Sequence, residues 1–182
     1  MRRLLCTVAS LLAAATLFAG TPVSGKLDTV LKEHHSPDAS FLVGEWHYNT
    51  SGYVFVKEEG ETPPQETAAR NLKLMTVTPD NCVLTFLDAN TCVFRVGDKK
   101  FKVACRINPE TRELKATVAL WSIKGWLVEN GDCIDLIYTR SNLELMMNYL
   151  CPLSTHKYIR ELNSALKCTD GLTLSIQFSR NQ

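Results

Sequence analysis

Beyond residue 25 the sequence contains no apolar run close to the roughly 20 residues that a helix needs to cross a bilayer, so no membrane span is read there. It also lacks a charge excess. Of its 20 Lys and Arg, two are Arg2 and Arg3, which leaves 18 basic against 19 acidic side chains in the rest of the chain. That balance argues against a nucleic acid or a membrane surface as partner, because either would need concentrated positive charge. H-E-x-x-H, a glycine-rich phosphate loop and a calcium loop are all missing. None of the cysteines stands in a C-x-x-C pair, which removes the usual spacing signal for zinc or dithiol redox chemistry. No metal and no cofactor are expected.

What is present begins with a leader. Arg2 and Arg3 precede an apolar stretch from Leu4 to Ala19 that has no acidic residue, and Val23-Ser24-Gly25 offers small residues for cleavage. The stretch is short for a membrane anchor and is interrupted by Gly20 and Pro22. The expectation is therefore a signal peptide over 1–25 and an exported protein, periplasmic or extracellular. Residues 26–41 follow as a helical arm and linker, with Leu27, Val30 and Leu31 on one face. Residues 42–182 then form one domain.

Six cysteines lie beyond the leader: Cys82, Cys92, Cys105, Cys133, Cys151 and Cys168. An even count in an exported chain permits a disulfide framework with fifteen complete pairings. Buried free thiols acting as small hydrophobes fit the apolar surroundings equally well. If Asp98-Lys99 is the tip of its hairpin, Cys92 and Cys105 stand directly opposite one another, a candidate cross-strand pair. Cys151 and Cys168 bracket a predicted helix and are a second candidate. Cys82 and Cys133 have no evident partner.

The period of the apolar residues is mostly two. Glu45 to Val56 reads as a long first strand with a bulge or bend at Gly52. Thr62-Pro63-Pro64-Gln65 then resembles a capped helix start, and Ala68, Leu72 and Met75 share one face. Hairpins follow: Cys82–Leu87, Thr91–Val96, Lys100–Ile107, Glu113–Leu120, Trp121–Glu129 and Cys133–Tyr138, separated by turn signals such as Asn108-Pro109 and Asn130-Gly131. The period then switches to that of a helix. Ser141 to Glu144 forms a capping box before a stripe of Leu143, Met146, Met147 and Leu150, and a second helix spans Ser154 to Lys167. Leu172 to Ser179 alternates again as the last strand. The fold class is therefore mostly β: an eight-stranded antiparallel barrel with accessory helices between strands 1 and 2 and before the last strand. Closure removes the two open edges that a meander would expose. A flat sheet backed by the helix pair is the rival arrangement.

Gly44-Glu45-Trp46 at the head of the first strand is the G-x-W pattern of lipocalins. The wider order resembles one group in particular: G-x-W-x-Y at Gly44 to Tyr48, an intervening helix, N-P-E-T, G-D-x-I-D-L before a Leu/Met helix, and D-G-L-x-L-x-I-x-F near the end. This is an uncharacterised lipocalin-like family of secreted proteins from Gram-negative gut anaerobes, and the resemblance runs from about Leu42 to Arg180. It implies a lipocalin-like barrel whose tryptophan plugs the closed end beneath a basic residue, a place that Arg180 can fill. It implies no known activity. Members of that group are usually glycine- or threonine-rich where Cys92 and Cys105 stand and are poor in cysteine, so it supplies no cysteine chemistry. Asp28-Thr29-Val30 also resembles the short O-glycosylation motif such bacteria use on exported proteins.

Chemistry is thinly signalled. His34 and His35 sit on the arm, His47 follows Trp46 on the opposite strand face, and His156 stands alone. No serine and carboxylate converge on any of them by spacing. Asp132 and Asp135 resemble a carboxylate pair, but one is in a turn and both are expected to face water. No catalytic residue is expected, and the chain is not read as an enzyme. The remaining candidate is an apolar cavity lined by Trp46, Tyr48, Phe86, Phe94, Phe101, Leu120, Trp126 and Phe178, with the helix over Pro64 to Met75 as a lid. Two functions follow. One is an exported binding module for a small apolar ligand. The other is a structural or protein-interaction module of the cell envelope, with a filled barrel and an apolar patch near Met146 and Met147.

Overall fold

The computed structural model describes residues 20–180. The core of the expected leader, residues 1–19 with Cys6, lies outside the described residues. The chain runs β1 (Gly25–Lys26), α1 (Leu27–Glu33), α2 (Ala39–Leu42), β2 (Gly44–Phe55), α3 (Gln65–Leu74), β3 (Cys82–Asp88), β4 (Thr91–Val96), β5 (Lys99–Ile107), β6 (Glu113–Val118), β7 (Trp121–Asn130) and β8 (Cys133–Tyr138). It ends in α4 (Arg140–Leu150), a 3-10 turn at Leu153–Thr155, α5 (His156–Leu166) and β9 (Leu172–Ser179). Strands β2 to β9 pair antiparallel in chain order, and β9 returns to β2, so the eight-stranded barrel is closed. The ninth strand, β1, is a short parallel addition opposite Val54 and Phe55.

Chain order in an antiparallel barrel fixes which connections share a rim. α3 joins the end of β2 to the start of β3, and α4 with α5 joins the end of β8 to the start of β9, so all three long helices sit at one end. Their apolar faces point into it: Ala68 and Leu72 from α3, Leu143, Met146, Met147 and Leu150 from α4, and Ile159, Leu162 and Leu166 from α5. Met146 and Met147 are thus core, not an exposed patch.

Local details depart from the sequence expectation for identifiable reasons. The register shift in β2 falls between Tyr48 and Thr50, where the Asn49 amide donates to Gln177 Oε1 at 2.8 Å. Gly52 is instead a point of close approach, since a Cβ there would stand 2.6 Å from the Val23 carbonyl oxygen. Pro64, not Thr62, caps α3, because Gln65 reaches across to the Ser51 carbonyl and fixes the first turn later. Thr139, not Ser141, caps α4, while Glu144 accepts a bond from Asn163 of α5 at 2.7 Å. β6 stops at Val118, and Ala119 at φ 51 starts the turn that turns Leu120 outward.

The outer face of β8 and β9 is not wet. Thr173, Ser175 and Gln177 are buried because residues 21–33 lie across them as a strap. Val23, Leu27 and Val30 pack on Val54, Val128 and Ile137, with Trp126 alongside. Beneath the strap Asp135 is fully buried, against the expectation that it faces water. Its carboxylate accepts bonds from Val23 N (3.2 Å), Ser175 Oγ (2.5 Å), Asn130 Nδ2 (3.0 Å) and Gln177 Nε2 (3.2 Å). Asn130 and Gln177 also donate to the Thr21 carbonyl, at 2.9 and 3.2 Å. Thr29 is exposed on α1.

Asp135→Ala strands these donors in a dry layer and is expected to cost about 2–4 kcal/mol, measured by urea unfolding. A loss below about 1 kcal/mol would show that water enters and satisfies them.

Candidate functional site: an apolar cavity between the sheet and α4

The two ends of the barrel are built differently. At the end away from the long helices, Gly44 takes φ +128, a conformation that side-chain-bearing residues rarely adopt, and this sets the chain into β2. Trp46 is then fully buried, and its indole N–H donates to the Leu42 carbonyl at 2.8 Å. The Arg180 guanidinium lies 4.5 Å from the Trp46 ring and 5.5 Å from Phe41, and bonds the Phe41 carbonyl. The expected closing pair of Trp46 and Arg180 is in place, worth about 0.5–2 kcal/mol as a cation–π contact.

Above this seal the interior divides. Under β2, β8 and β9 it is filled: Tyr48 and Phe94 pack edge-on against Phe178, at 6.5 and 6.4 Å, and the void beside Phe178 measures only about 10 Å³. Toward β4 to β7 the inward side chains shrink to Cys92, Val103, Cys105 and Ala116, and the space stays open. A cavity of about 300 Å³ results, bounded by Leu84, Phe86 and Phe94 on one side and Leu114, Val118 and Ile123 on another. Tyr138 and Leu136 form its floor, and Met146, Leu150 and Tyr149 of α4 form its roof. It opens to solvent between the β6–β7 hairpin and α4, past Trp121, Leu145 and Asn148.

Of the eight lining residues expected from sequence, Phe86 and Phe94 border this cavity. Trp46 is below it as the plug, and Tyr48 and Phe178 belong to the filled half. Phe101 points toward α4 and packs on Tyr149 at 5.2 Å. Leu120 is 97% exposed at a hairpin tip. Trp126 is on the outside, since Trp121, Ile123 and Leu127 set the inward parity of β7 and position 126 must face the other way. The roof is α4, not α3, whose Ala68 and Leu72 plug the gap beside β2. What sequence reading missed is the roof of α4 and the small wall of β4 to β6. The alternation of Leu114, Ala116 and Val118 and the helical stripe with Met146 and Leu150 signalled part of it, without showing that the two face one space.

Polar groups in the cavity are few. Tyr138 is buried and lines the cavity. Burial raises its pKa, with Cys105 and Cys92 adding to the effect. The six cysteines among the described residues are free thiols. Cys92 stands opposite Val103, so Cys105 is its diagonal neighbour rather than its partner, because the β4–β5 turn is centred one residue earlier than a tip at 98–99 requires. Cys151 is buried under α4 while Cys168 is exposed at the far end of α5, which separates that candidate pair as well. Burial pushes Cys105 and Cys151 up to about 11 and raises Cys82 and Cys92 further.

His47 is turned outward, 3.0 Å from Glu45 and 3.1 Å from the Pro79 carbonyl. Among the described residues no three His, Cys, Asp or Glu side chains gather as a metal site.

Fold and site together define the class: a closed eight-stranded antiparallel barrel with an internal apolar cavity. No known family and no curated protein matches the sequence. Among solved structures it is similar to a DUF4847 family protein from Bacteroides vulgatus ATCC 8482, at 12% identity and a TM-score of 0.40, over 78% of this chain and 94% of that one. A likeness at that level carries no argument about function.

Thiol reactivity follows from the burial. In the native, reduced protein at pH 8.5, iodoacetamide is expected to modify Cys168 within minutes and Cys82, Cys92, Cys105 and Cys151 only after unfolding, read by peptide mass spectrometry. Rapid native modification of Cys92 or Cys105 would show that these thiols ionise in place, against the burial that raises their pKa.

Proposed function

We propose that the protein is a non-catalytic binding module that takes one small, largely apolar molecule into the space between α4 and the sheet. The cavity itself carries this reading. Its volume of about 300 Å³ falls at the lower end of ligand sites, which span roughly 300–1,000 Å³. Water is a poor occupant where nearly every wall is aliphatic, aromatic or thiol. The Tyr138 side chain adds chemical detail, because a phenol on an otherwise apolar wall offers a ligand oxygen a hydrogen bond. The favoured ligand is a hydrocarbon chain or ring carrying one hydroxyl or carbonyl group.

Titration with 1-decanol is expected to shift the fluorescence of Trp121 saturably at one molecule per chain. Ala116→Phe, which fills the space, should abolish the signal while leaving the circular dichroism spectrum intact. Tyr138→Phe should weaken decanol binding about three- to tenfold without affecting an alkane of equal length. No saturable shift with decanol or with the dye N-phenyl-1-naphthylamine would sink the proposal.

We infer further that the chain is exported, on the strength of the N-terminal pattern, and that processing falls at or before Gly20. A cut after Gly25 would discard the Val23 N–H bond to Asp135, the Thr21 carbonyl contacts and half of β1. N-terminal sequencing of protein recovered from the cell envelope tests this. A mature terminus at Lys26 would show that the barrel does without this part of the strap.

A further inference from the structure

The neutral overall charge hides an uneven distribution. Between Lys99 and Lys124 the sequence holds seven basic residues against two acidic ones. Strand pairing brings most of these onto one outer wall. Arg106 stands opposite Lys115, and Lys115 opposite Lys124, so three cations lie in one row across β5, β6 and β7. Higher on β5, Lys100 stands opposite Arg95, and Lys102 is level with the tip of the β6–β7 hairpin. Lys100, Lys102, Arg106, Lys115 and Lys124 are exposed, and none takes part in the ion pairs found among the described residues. Glu113 and Glu110 lie toward the β5–β6 turn, away from the hairpin tip, and Asp98 sits in the β4–β5 turn. Directly opposed like charges destabilise a sheet. Such a row is therefore costly in the isolated protein and is relieved by an anionic surface.

That wall flanks an exposed apolar tip. Leu120 is 97% exposed and Trp121 59%, and across the mouth of the cavity Leu145 and Tyr149 of α4 are each about two-fifths exposed, at 42% and 41%. An aliphatic tip, a tryptophan and a tyrosine bordered by lysines form an amphipathic edge suited to a headgroup boundary, where apolar side chains enter and cations stay at the phosphates. A nucleic acid would use the cations but has no use for Leu120.

The geometry points to the mouth of the cavity as a docking face for a bilayer that contains anionic lipid, with Leu120 and Trp121 inserted and Lys100, Lys102 and Lys124 on the headgroups. The purpose of this face rests on the cavity reading, since docking there would let an apolar molecule pass between membrane and interior without crossing water. The docking itself can be tested apart from any ligand.

The test is flotation of the purified chain with vesicles of phosphatidylcholine alone or of equal parts phosphatidylcholine and phosphatidylglycerol, in 0.1 M salt. Binding is expected only to the mixed vesicles. Lys100→Gln with Lys102→Gln should weaken it at least about tenfold, and Leu120→Asp to a similar extent. Both variants should keep the decanol response of Trp121, so failure of docking and failure of the cavity reading are read separately. Flotation with neither vesicle, or equally with both, would overturn the inference. So would a Leu120→Asp variant that binds like the parent while the lysine variant does not, since that pattern marks a soluble polyanion as the partner.

Discussion

The structure depends on β9 lying against β2. Eight residues at the end of the domain, Leu172–Ser179, pair along His47 to Phe55, while the first four residues of β2 pair with β3. One strand thus serves two neighbours in succession, and the register shift around Asn49 marks the handover. Closure gives the first and last barrel strands each other as neighbours and so removes the two long edges an open meander would expose. It also creates a gap where the upper half of β2 has parted from β3. α3 fills that gap with Ala68, Leu72 and Met75, and β1 adds two residues to the free edge. The helix after the first strand is therefore part of the wall and not a lid.

A second consequence of closure is the strap. The outward residues Thr173, Ser175 and Gln177 of β9 and Asp135 of β8 are polar, which in most barrels means solvent. Here residues 21–33 cover them, and Ser175 and Gln177 join Asn130 in a buried network around the Asp135 carboxylate. Four neutral donors hold that carboxylate, and it takes part in none of the ion pairs among the described residues. Buried polar groups of this kind are tolerated only when their bonds are complete. The N-terminal segment supplies one of the four through its backbone, and its Thr21 carbonyl takes up two of the donors again. The segment that appears from sequence to be the tail of a leader is thus also a structural part of the barrel.

The cavity exists because side-chain volume is unevenly distributed. Phe94, Phe178, Tyr48 and Ile176 fill the side toward β2 and β9, while Cys92, Val103, Cys105 and Ala116 leave the side toward β4 to β6 short of atoms. A barrel of this size has room for either a filled interior or one small molecule, and here each solution occupies one half. α4 then sets the height of the roof. Its position is fixed by Thr139 at one end and by the Lys99 ammonium at the other, which donates to the Tyr149 and Cys151 carbonyls at 3.5 and 3.4 Å.

The fold could be read from local patterns. Alternation, the turn signals at Asn108-Pro109 and Asn130-Gly131, and the switch to a helical period at Leu143 each depend on neighbours in sequence. Together they specified eight strands and three long helices, while the closed end at Gly44 and Trp46 was implied only by the resemblance that the G-x-W pattern carries. What they could not specify were quantities set by residues far apart in the chain. Leu120 and Val118 share a parity, but only the tight turn at Ala119 decides that one is lining and the other tip. Cys92 and Cys105 looked opposed until the turn was placed one residue earlier. Net charge says nothing about where charges lie, so the row of Arg106, Lys115 and Lys124 emerged only when three strands came into register. The sequence by itself determined which segments alternate and where they turn, because those are short-range properties of the backbone. The tertiary structure alone decided which side chains enclose a space, what covers Asp135, and which cations face the same way, because each depends on strand register and on how helices settle over a barrel end.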